Sequence, residues 1–385
     1  MAKSISFISG KGGSGKTTLA LSVASMFITC GFRVLLVDCD LATNGATYFY
    51  EGRMENPQTQ LTSFYDILNK DNIEQNYLKI SDQLHFVPSI SNIQKYNEES
   101  TYLQSDISKM KSRFCDFYKK ITDFYDFVIF DCQAGYAEEL EVVITKSDFN
   151  LAVMEADAIS SAAMRSLYLK LAHVFKDRKI FQAFNKLTAE EQEIYSKISG
   201  GTVFTNIEAV TFDWAIRKAF ATSQIPNMRD TSIKFVEQIF NICKTIVNKL
   251  GDNQILLDKI NIYEQKLELQ KLYEKKEKIK DDLASRKTSK RTMLFTVNII
   301  VTTITLIALI VGCVYATLMM EKESSTILTI VISCFTCLIA TVQSFLLVRR
   351  QYNSYKDTLK LQRQLYNLED KIHSKELKLL GKNNQ

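Results

Sequence analysis

Residues 10–18 read G-K-G-G-S-G-K-T-T and constrain the fold more than any other segment of the chain. They match the pattern G-x-x-x-x-G-K-[ST], which holds phosphate groups when it lies between a β-strand and an α-helix. The flanking residues meet that condition, because 4–8 is a short β-favouring run and 19–28 has helical periodicity without Pro or Gly. The segment therefore predicts a phosphate-binding loop.

The residue types in this loop predict how it binds a nucleotide with Mg²⁺. Glycines permit backbone angles that residues with a Cβ resist, and they let N–H groups approach an anion closely. Lys16 is placed to reach the β- and γ-phosphates, and the Thr17 hydroxyl is placed to ligate Mg²⁺. The predicted nucleotide contacts in the loop are Gly10, Gly12, Gly13, Ser14, Gly15, Lys16, Thr17 and Thr18.

A second lysine, Lys11, directly follows the first glycine of the loop. With it, the run resembles the deviant Walker A motif of the MinD/ParA family of dimeric ATPases. Four later segments are similar to motifs of that family and occur in the same order. They are residues 38–40 (D-C-D), 84–89 (L-H-F-V-P-S), 127–135 (F-V-I-F-D-C-Q-A-G) and 181–186 (F-Q-A-F-N-K). The resemblance extends over about residues 1–250.

The resemblance implies an α/β P-loop domain, a three-layer sandwich with a mainly parallel sheet, that binds ATP and Mg²⁺ and hydrolyses ATP. It implies that Lys11 reaches the partner's nucleotide across a sandwich dimer, that Asp40 positions the attacking water, and that Asn185 contacts the adenine. The implied catalytic residues are Lys11, Lys16, Asp40 and Asp131, and the implied metal residues are Thr17, Asp40 and Asp131.

Two segments depart from the family's pattern. Gln133 stands where the family's switch II usually has Pro, and it is either a tolerated loop residue or one that orients water, as in other phosphate-loop hydrolases. Switch I continues with residues 41–44 (L-A-T-N) and lacks the usual Pro-Gln. These departures bear on the rate of hydrolysis, whereas the nucleotide-binding loop is intact.

Composition narrows the classes of function. The 48 basic and 43 acidic residues leave a net charge of +5, and no basic stripe with aromatics stands out, so a nucleic-acid partner is not predicted. The eight cysteines follow no secreted disulfide spacing, and the three histidines are scattered. Residues 51–82 and 92–123 are polar and tyrosine-rich, and we expect them to form the surfaces for an unidentified protein partner.

Two long runs without charge lie in the last third of the chain. Residues 292–320 and 324–348 span about 29 and 25 residues, and each is long enough to cross a bilayer as a helix. They predict a transmembrane hairpin with helices at 292–320 and 325–348 and a short turn at 321–324. Basic residues flank both outer ends, such as Arg286 and Arg349, so the ATPase domain and both termini are predicted on the cytoplasmic side. The predicted location is a bacterial inner membrane, with the lipid bilayer as a partner.

Helical arms flank the predicted hairpin. Apolar residues at 256, 260, 263 and 267 follow a 4-3-4 spacing, as do those at 361, 365, 368 and 372, with Ile279 and Leu283 between the first set and the hairpin. This spacing predicts short coiled-coil seams. The predicted domains are the ATPase at 1–250, an arm at 251–291, the hairpin, and a returning arm at 349–385. Because a hairpin reverses the chain, the arms run antiparallel and pair with each other or with another protomer.

Three functions fit these features. The favoured one is a membrane-anchored MinD/ParA-like ATPase whose ATP-dependent dimerisation or oligomerisation, and hydrolysis, switch an assembly or effector at the cytoplasmic membrane face. The second is a tyrosine kinase of the polysaccharide-export type, although in those proteins the hairpin precedes the kinase and a tyrosine cluster ends the chain. The third is a membrane-disrupting or channel-type effector with the ATPase as sensor, for example in phage defence.

Overall fold

The chain divides into two compact units, Met1–Tyr263 and Glu264–Gln385. The computed structural model describes residues 1–54, 61–91, 106–176, 179–195, 203–230, 232–251, 253–318 and 325–383. Parts of the predicted partner surfaces, at 55–60 and 92–105, and the predicted turn at 321–324 lie outside the described residues.

An eight-stranded sheet runs through the first unit, and all neighbouring strands are parallel except one pair at an edge, β3 and β4. The strands are β1 (Lys3–Ser9), β2 (Val34–Cys39), β3 (Leu78–Lys79), β4 (Leu84–Val87), β5 (Phe127–Ala134), β6 (Phe149–Met154), β7 (Ile180–Leu187) and β8 (Phe204–Thr211). Their order across the sheet is β3-β4-β2-β5-β1-β6-β7-β8. β2 and β6 are buried along their whole length, as continuous apolar strands are when helices cover both faces. The predicted mainly parallel α/β fold is confirmed.

Helices lie between many of these strands and follow the last one. They are α1 (Lys16–Thr29), α2 (Gly45–Phe49), α3 (Glu51–Met54), α4 (Phe64–Asn69), α5 (Ile107–Ile121), α6 (Glu138–Lys146), α7 (Ala158–Lys170), α8 (Ala172–Phe175), α9 (Ala189–Tyr195), α10 (Trp214–Ala221), α11 (Lys234–Lys249), α12 (Gln254–Leu318) and α13 (Ser325–Asn383).

Side chains on strand β5 show how helices cover both faces of the sheet. Phe130 joins the apolar cluster that contains Phe114 of α5, and their ring centroids are 5.5 Å apart. Phe127 points to the opposite face, since its position differs from that of Phe130 by an odd number of residues. There it stacks on Phe27 of α1 with ring centroids 4.0 Å apart. The unit is therefore a three-layer sandwich, and the carboxyl ends of its parallel strands meet at one edge.

The first turns of α12 pack on the α/β unit, contrary to the predicted coiled-coil seam at residues 256, 260 and 263. Leu256 and Ile260 are 4% and 0% exposed within the first unit. The Tyr263 ring lies 5.5 Å from that of Phe240 in α11, and Lys259 sits 4.9 Å above the ring of Phe32. These turns extend the α/β unit to Tyr263, whereas the predicted boundary follows residue 250.

In the second unit, α12 and α13 pack against each other as an antiparallel pair. Ile279, Leu368 and Ile372 are buried at the centre of their contact. Ion pairs join Glu268 to Lys375, Lys276 to Glu369 and Arg286 to Asp357. Residue numbers increase along α12 while those of the paired residues in α13 decrease, so the two helices are antiparallel. Leu283, Leu361 and Leu365 complete the contact. The two predicted arms thus pair within one chain, while a supercoiled knobs-into-holes geometry stays a prediction.

The two charge-free runs are helical wherever the backbone is described, since α12 continues to Leu318 and α13 begins at Ser325. Within the part of the chain that the structure describes, no helix has an apolar stretch long enough to cross a bilayer. The structure therefore gives no support to the predicted membrane spans at 292–320 and 325–348.

Candidate functional site

The predicted phosphate-binding loop joins β1 to α1 at the carboxyl edge of the sheet. Gly13 and Gly15 have φ angles of 81° and 91°, a left-handed conformation that residues with a Cβ rarely adopt. A Cβ on Gly10 would lie 2.2 Å from the carbonyl carbon of Ala163 in α7, a separation that no real Cβ tolerates. Gly13 and Gly15 are therefore needed for the shape of the loop, and Gly10 is needed for its close packing against α7.

Helix α1 begins at Lys16, and the N–H groups of its first turn face the loop. Its N-cap is Gly15, with no side-chain cap and no acidic residue in the first turn. Such N–H groups, at the positive end of a helix, bind anions. Lys16 is 6% exposed, and the Ser14 hydroxyl is fully buried with no hydrogen-bond partner in the described chain. A buried, unpaired hydroxyl beside a helix N-terminus fits a bound phosphate.

Asp131 lies in the second half of β5, in register with Asp38 on the neighbouring strand β2. It is 1% exposed, and neither of its carboxylate oxygens has a hydrogen-bond partner among the described residues. Burial raises the pKa of Asp131, against the opposing effects of the Lys16 charge and the nearby Thr17 hydroxyl. A buried, unpaired carboxylate close to Thr17 fits Mg²⁺, which prefers oxygen ligands and usually completes its shell with phosphates and water.

Asp40, the third predicted metal residue, shapes the turn after β2. Its Oδ1 accepts hydrogen bonds from the N–H groups of Ala42 at 3.1 Å and Thr43 at 2.8 Å, and its Oδ2 accepts one from the Thr43 hydroxyl at 2.6 Å. Its roles with water and metal stay predictions. Across the described residues, no group of three or more His, Cys, Asp or Glu side chains is arranged to hold a metal ion.

Asp38 was not singled out from the sequence, and the structure makes it the centre of a buried network. Its carboxylate accepts hydrogen bonds from the N–H and the hydroxyl of Thr47, both at 2.8 Å. That hydroxyl lies 2.9 Å from the hydroxyl of Ser89, which donates to Asn44 at 2.6 Å. Burial, then the charge of Asp131, raises the pKa of Asp38. The sequence feature that could have identified Asp38 is its position as the first Asp of the D-C-D segment.

Asn185 and Lys186, at the end of β7, fasten the phosphate-binding loop. The Asn185 amide is 5% exposed and donates to the Ser14 carbonyl at 2.9 Å. The Lys186 ammonium donates to the Gly13 carbonyl. The predicted contact of Asn185 with adenine stays a prediction, because in this structure its amide holds the loop.

Lys11, which the resemblance places at the partner's nucleotide, forms two ion pairs within its own chain. Its ammonium lies 2.9 Å from Glu155 and 3.0 Å from Asp157, just after β6. Hydrogen bonds to Glu155, then to Asp157, raise the pKa of Lys11. Sequence reasoning missed both acids, although their position after a buried strand places them at the carboxyl edge.

The first half of the chain is similar to known proteins. Residues 2–183 match the family described as AAA domain. An uncharacterized ATP-binding protein of Methanocaldococcus jannaschii is 26% identical over 157 residues, which are 40% of this chain and 54% of that protein. A ParA family protein of Mycoplasma genitalium is 27% identical over 182 residues, which are 45% of this chain and 66% of that protein. The chain thus spans less than two thirds of the length of these relatives.

Two solved structures share the fold of this chain. A putative plasmid partition protein of Borrelia burgdorferi bound to AMPPNP has a TM-score of 0.52 at 18% identity, covering 65% of this chain and 100% of that one. The MinC:MinD cell division complex of Aquifex aeolicus has a TM-score of 0.50 at 18% identity, covering 64% and 96%. They show that this chain shares its fold with these two proteins, while the family match covers residues 2–183.

Proposed function

We propose that this protein is a Mg²⁺-dependent ATPase whose ATP-bound form dimerises and thereby switches an assembly or effector at a membrane surface. One observation carries the nucleotide site: Asp131 and the Ser14 hydroxyl are buried without partners beside a complete phosphate-binding loop. Unpaired buried polar groups cost about 1–3 kcal/mol, a cost that a bound Mg²⁺–nucleotide removes.

Different residues of the site bind the phosphates, hold Mg²⁺ and orient the attacking water. The loop N–H groups and the Lys16 ammonium bind the phosphates, while Thr17 and Asp131 hold Mg²⁺. A bound Mg²⁺ neutralises charge on the phosphate oxygens. Asp40, held by the turn it closes, orients the attacking water. Gly45 leaves room for the Thr17 side chain, since a Cβ there would lie 3.2 Å from the Thr17 hydroxyl oxygen.

Lys11 gives the switch its dependence on a second subunit. In the dimer its ammonium contacts the partner's phosphates, as an arginine finger supplied in trans does. To reach them it leaves Glu155 and Asp157, so dimerisation exchanges two ion pairs within a subunit for contacts between subunits. The Coulomb attraction of a triphosphate, with several negative charges, favours that exchange.

The test is ATP-dependent dimerisation of the full chain, measured by light scattering with ATP, with ADP and without nucleotide. We expect Lys16→Ala to abolish both nucleotide binding and dimerisation. Lys11→Ala should retain binding and lose dimerisation, along with most of the hydrolysis. An unchanged oligomer in the Lys16→Ala protein, with no bound nucleotide, overturns the proposal.

Membrane attachment is the part of the proposal that rests on sequence alone. The charge-free runs at 292–320 and 324–348, with basic residues at their outer ends, support a hairpin whose ends face the cytoplasm of a bacterium. Fractionation tests it: the full chain should stay with membranes after alkaline carbonate extraction, and a chain ending at residue 263 should not. Release of the full chain by carbonate contradicts attachment without affecting the ATPase proposal.

A further inference from the structure

Two lysines at the carboxyl edge of the sheet share one carboxylate. The Lys11 ammonium lies 2.9 Å from Oε2 of Glu155, and the Lys186 ammonium lies 2.7 Å from Oε1. The three side chains come from the phosphate-binding loop, from the segment after β6 and from the end of β7. All three are partly exposed, at 28%, 26% and 41%, so they can exchange partners without unfolding the core.

Lys186 is also fixed to the phosphate-binding loop. Its ammonium donates to the Gly13 carbonyl as well as to Glu155, and its backbone is left-handed with φ of 62°. A non-glycine residue keeps such a φ only when its surroundings hold it there, at a cost on the order of 1 kcal/mol. The Lys186 ammonium therefore joins the phosphate-binding loop to Glu155.

The hold of Glu155 on Lys11 depends on Lys186. A carboxylate that faces two ammonium groups attracts each, while the two cations repel each other. Without the charge of Lys186, Lys11 is the one close cationic partner of Glu155 among the described residues, and the repulsion that opposes its attraction to Glu155 is removed. Asp157 differs, because its Oδ2 contacts Lys11 and its Oδ1 accepts the Ser160 N–H at 2.6 Å to cap α7.

We propose that Glu155 and Lys186 are positioning residues for Lys11: Glu155 holds it on its own subunit, and Lys186 weakens that hold by sharing the carboxylate. The link to dimerisation rests on the proposed function, whereas the sharing itself does not. Since Lys186 bonds the loop at Gly13, a loop rearrangement around phosphates changes how much of Glu155 is left for Lys11. Nucleotide binding and the release of Lys11 are thereby coupled through one carboxylate.

The reactivity of the Lys11 amine tests the sharing without any nucleotide. The full chain is labelled with a limiting N-hydroxysuccinimide ester, and peptide mass spectrometry gives the rate at Lys11 relative to that at the exposed Lys218. An amine held more firmly as a cation reacts more slowly. We expect Lys186→Met to slow labelling of Lys11, and Glu155→Gln to speed it, each by roughly two- to fivefold, as partly exposed ion pairs allow.

Controls separate sharing from a general effect of lost charge or lost structure. Lys186→Arg keeps the charge and should label Lys11 at nearly the wild-type rate, as should Lys249→Met, which removes an exposed lysine from the end of α11. The double variant Glu155→Gln, Lys186→Met should behave like Glu155→Gln alone. Thermal melting of each variant confirms that it is folded. If Lys186→Met leaves the rate at Lys11 unchanged or raises it, the inference is overturned.

A second readout distinguishes this inference from the proposed function. ATP-dependent dimerisation should weaken in Lys186→Met, strengthen in Glu155→Gln, and return to at least the wild-type level in the double variant. If Lys11→Ala leaves dimerisation intact, the proposed role in trans fails, and the labelling rates still decide whether Glu155 is shared. If the labelling changes are absent while Lys11→Ala abolishes dimerisation, the proposed function stands and the sharing is wrong.

Discussion

Single glycines set the shape of the phosphate-binding loop, and they differ in what a methyl group would meet. Gly15 has φ of 91°, and a Cβ there would lie 2.2 Å from the Asn185 amide nitrogen. Around Gly12 a Cβ would meet nothing within 4 Å. We expect Gly15→Ala to lower the free energy of unfolding by about 1–3 kcal/mol and Gly12→Ala to change it little. Urea denaturation of both variants is the measurement, and equal losses would contradict the assignment.

Replacing Asp131 by Asn should stabilise the fold near neutral pH and should also abolish nucleotide binding. Its pKa is higher in the folded than in the unfolded chain, so its contribution to stability is present at low pH and is lost as pH rises through the folded-state pKa. Asp131→Asn removes the buried charge. Without nucleotide, the melting temperature of the variant should therefore rise relative to that of the wild type as the pH increases from about 4 to about 6, between the ordinary pKa of 3.8 and the folded-state pKa of about 6.

The same substitution should abolish Mg²⁺-dependent nucleotide binding, measured by titration with ATP in the presence and absence of Mg²⁺. Thr211→Val provides a control at the end of another strand, where the hydroxyl bonds Gln238 at 3.2 Å. It should leave Mg²⁺-dependent binding intact. A variant of Asp131 that melts lower at every pH would show that the carboxylate stabilises the fold in a way its surroundings do not indicate.

Local sequence predicts residues of this site only where a motif contains them. Lys16 and Thr17 follow from the spacing of the loop, and the structure places them beside Asp131. Glu155 and Asp157 lie more than 140 positions from Lys11 along the chain, and Asp157 is 146 away. No periodicity relates such residues, because an ion pair of this kind depends on which strands become neighbours.

At the scale of elements, the start of α12 belongs to the α/β unit. Leu256 and Ile260 are buried there, and burying two aliphatic side chains stabilises by about 3–6 kcal/mol. A chain ending at residue 263 should therefore melt at a higher temperature than one ending at residue 250. Differential scanning calorimetry of both gives the answer, with Ile260→Ala in the longer chain as a matched variant. Equal melting temperatures would place the domain boundary earlier.

The α12–α13 pair should depend on its buried seam. Ile279→Ala removes a side chain that is 8% exposed, and this change should lower the stability of the second unit by about 2–5 kcal/mol. Leu377→Ala is the control, since that side chain is 57% exposed and its loss should cost less than about 0.5 kcal/mol. The stability of the second unit in both variants can be compared from the rate of proteolysis within residues 264–318 and 349–383.

Helical periodicity in the sequence predicts that one face of a helix is apolar, but it does not identify the part of the protein that packs against that face. The 4-3 spacing at residues 256–263, which begins the first predicted seam, and the 4-3-4 spacing at 361–372 look alike in sequence. The first is covered by the α/β unit and the second by the other arm. Because burial against any apolar partner gives similar energy per area, only the tertiary structure distinguishes the two.

For the whole molecule, two compact units predict two responses to nucleotide. A ligand that binds only the folded form stabilises it by about 2.7 kcal/mol at a free concentration one hundred times its Kd. We expect Mg²⁺–ATP to raise the unfolding temperature of the α/β unit and to leave that of the helical pair unchanged. Hydrogen exchange on heating, followed separately in the two units, would show this, and equal protection of both would contradict it.

The sequence by itself determined the α/β class, the strand–loop–helix at residues 3–29 and the order of the motifs, because these depend on patterns within a few residues. It also predicted the apolar faces of the two arms. The tertiary structure alone decided that Lys11 is held by Glu155 and Asp157, that Asp38 accepts hydrogen bonds from Thr47, and that α12 begins on the α/β unit. Those features depend on contacts between residues that are far apart in the chain. Packing and strand order decide such contacts, and local sequence patterns do not encode them.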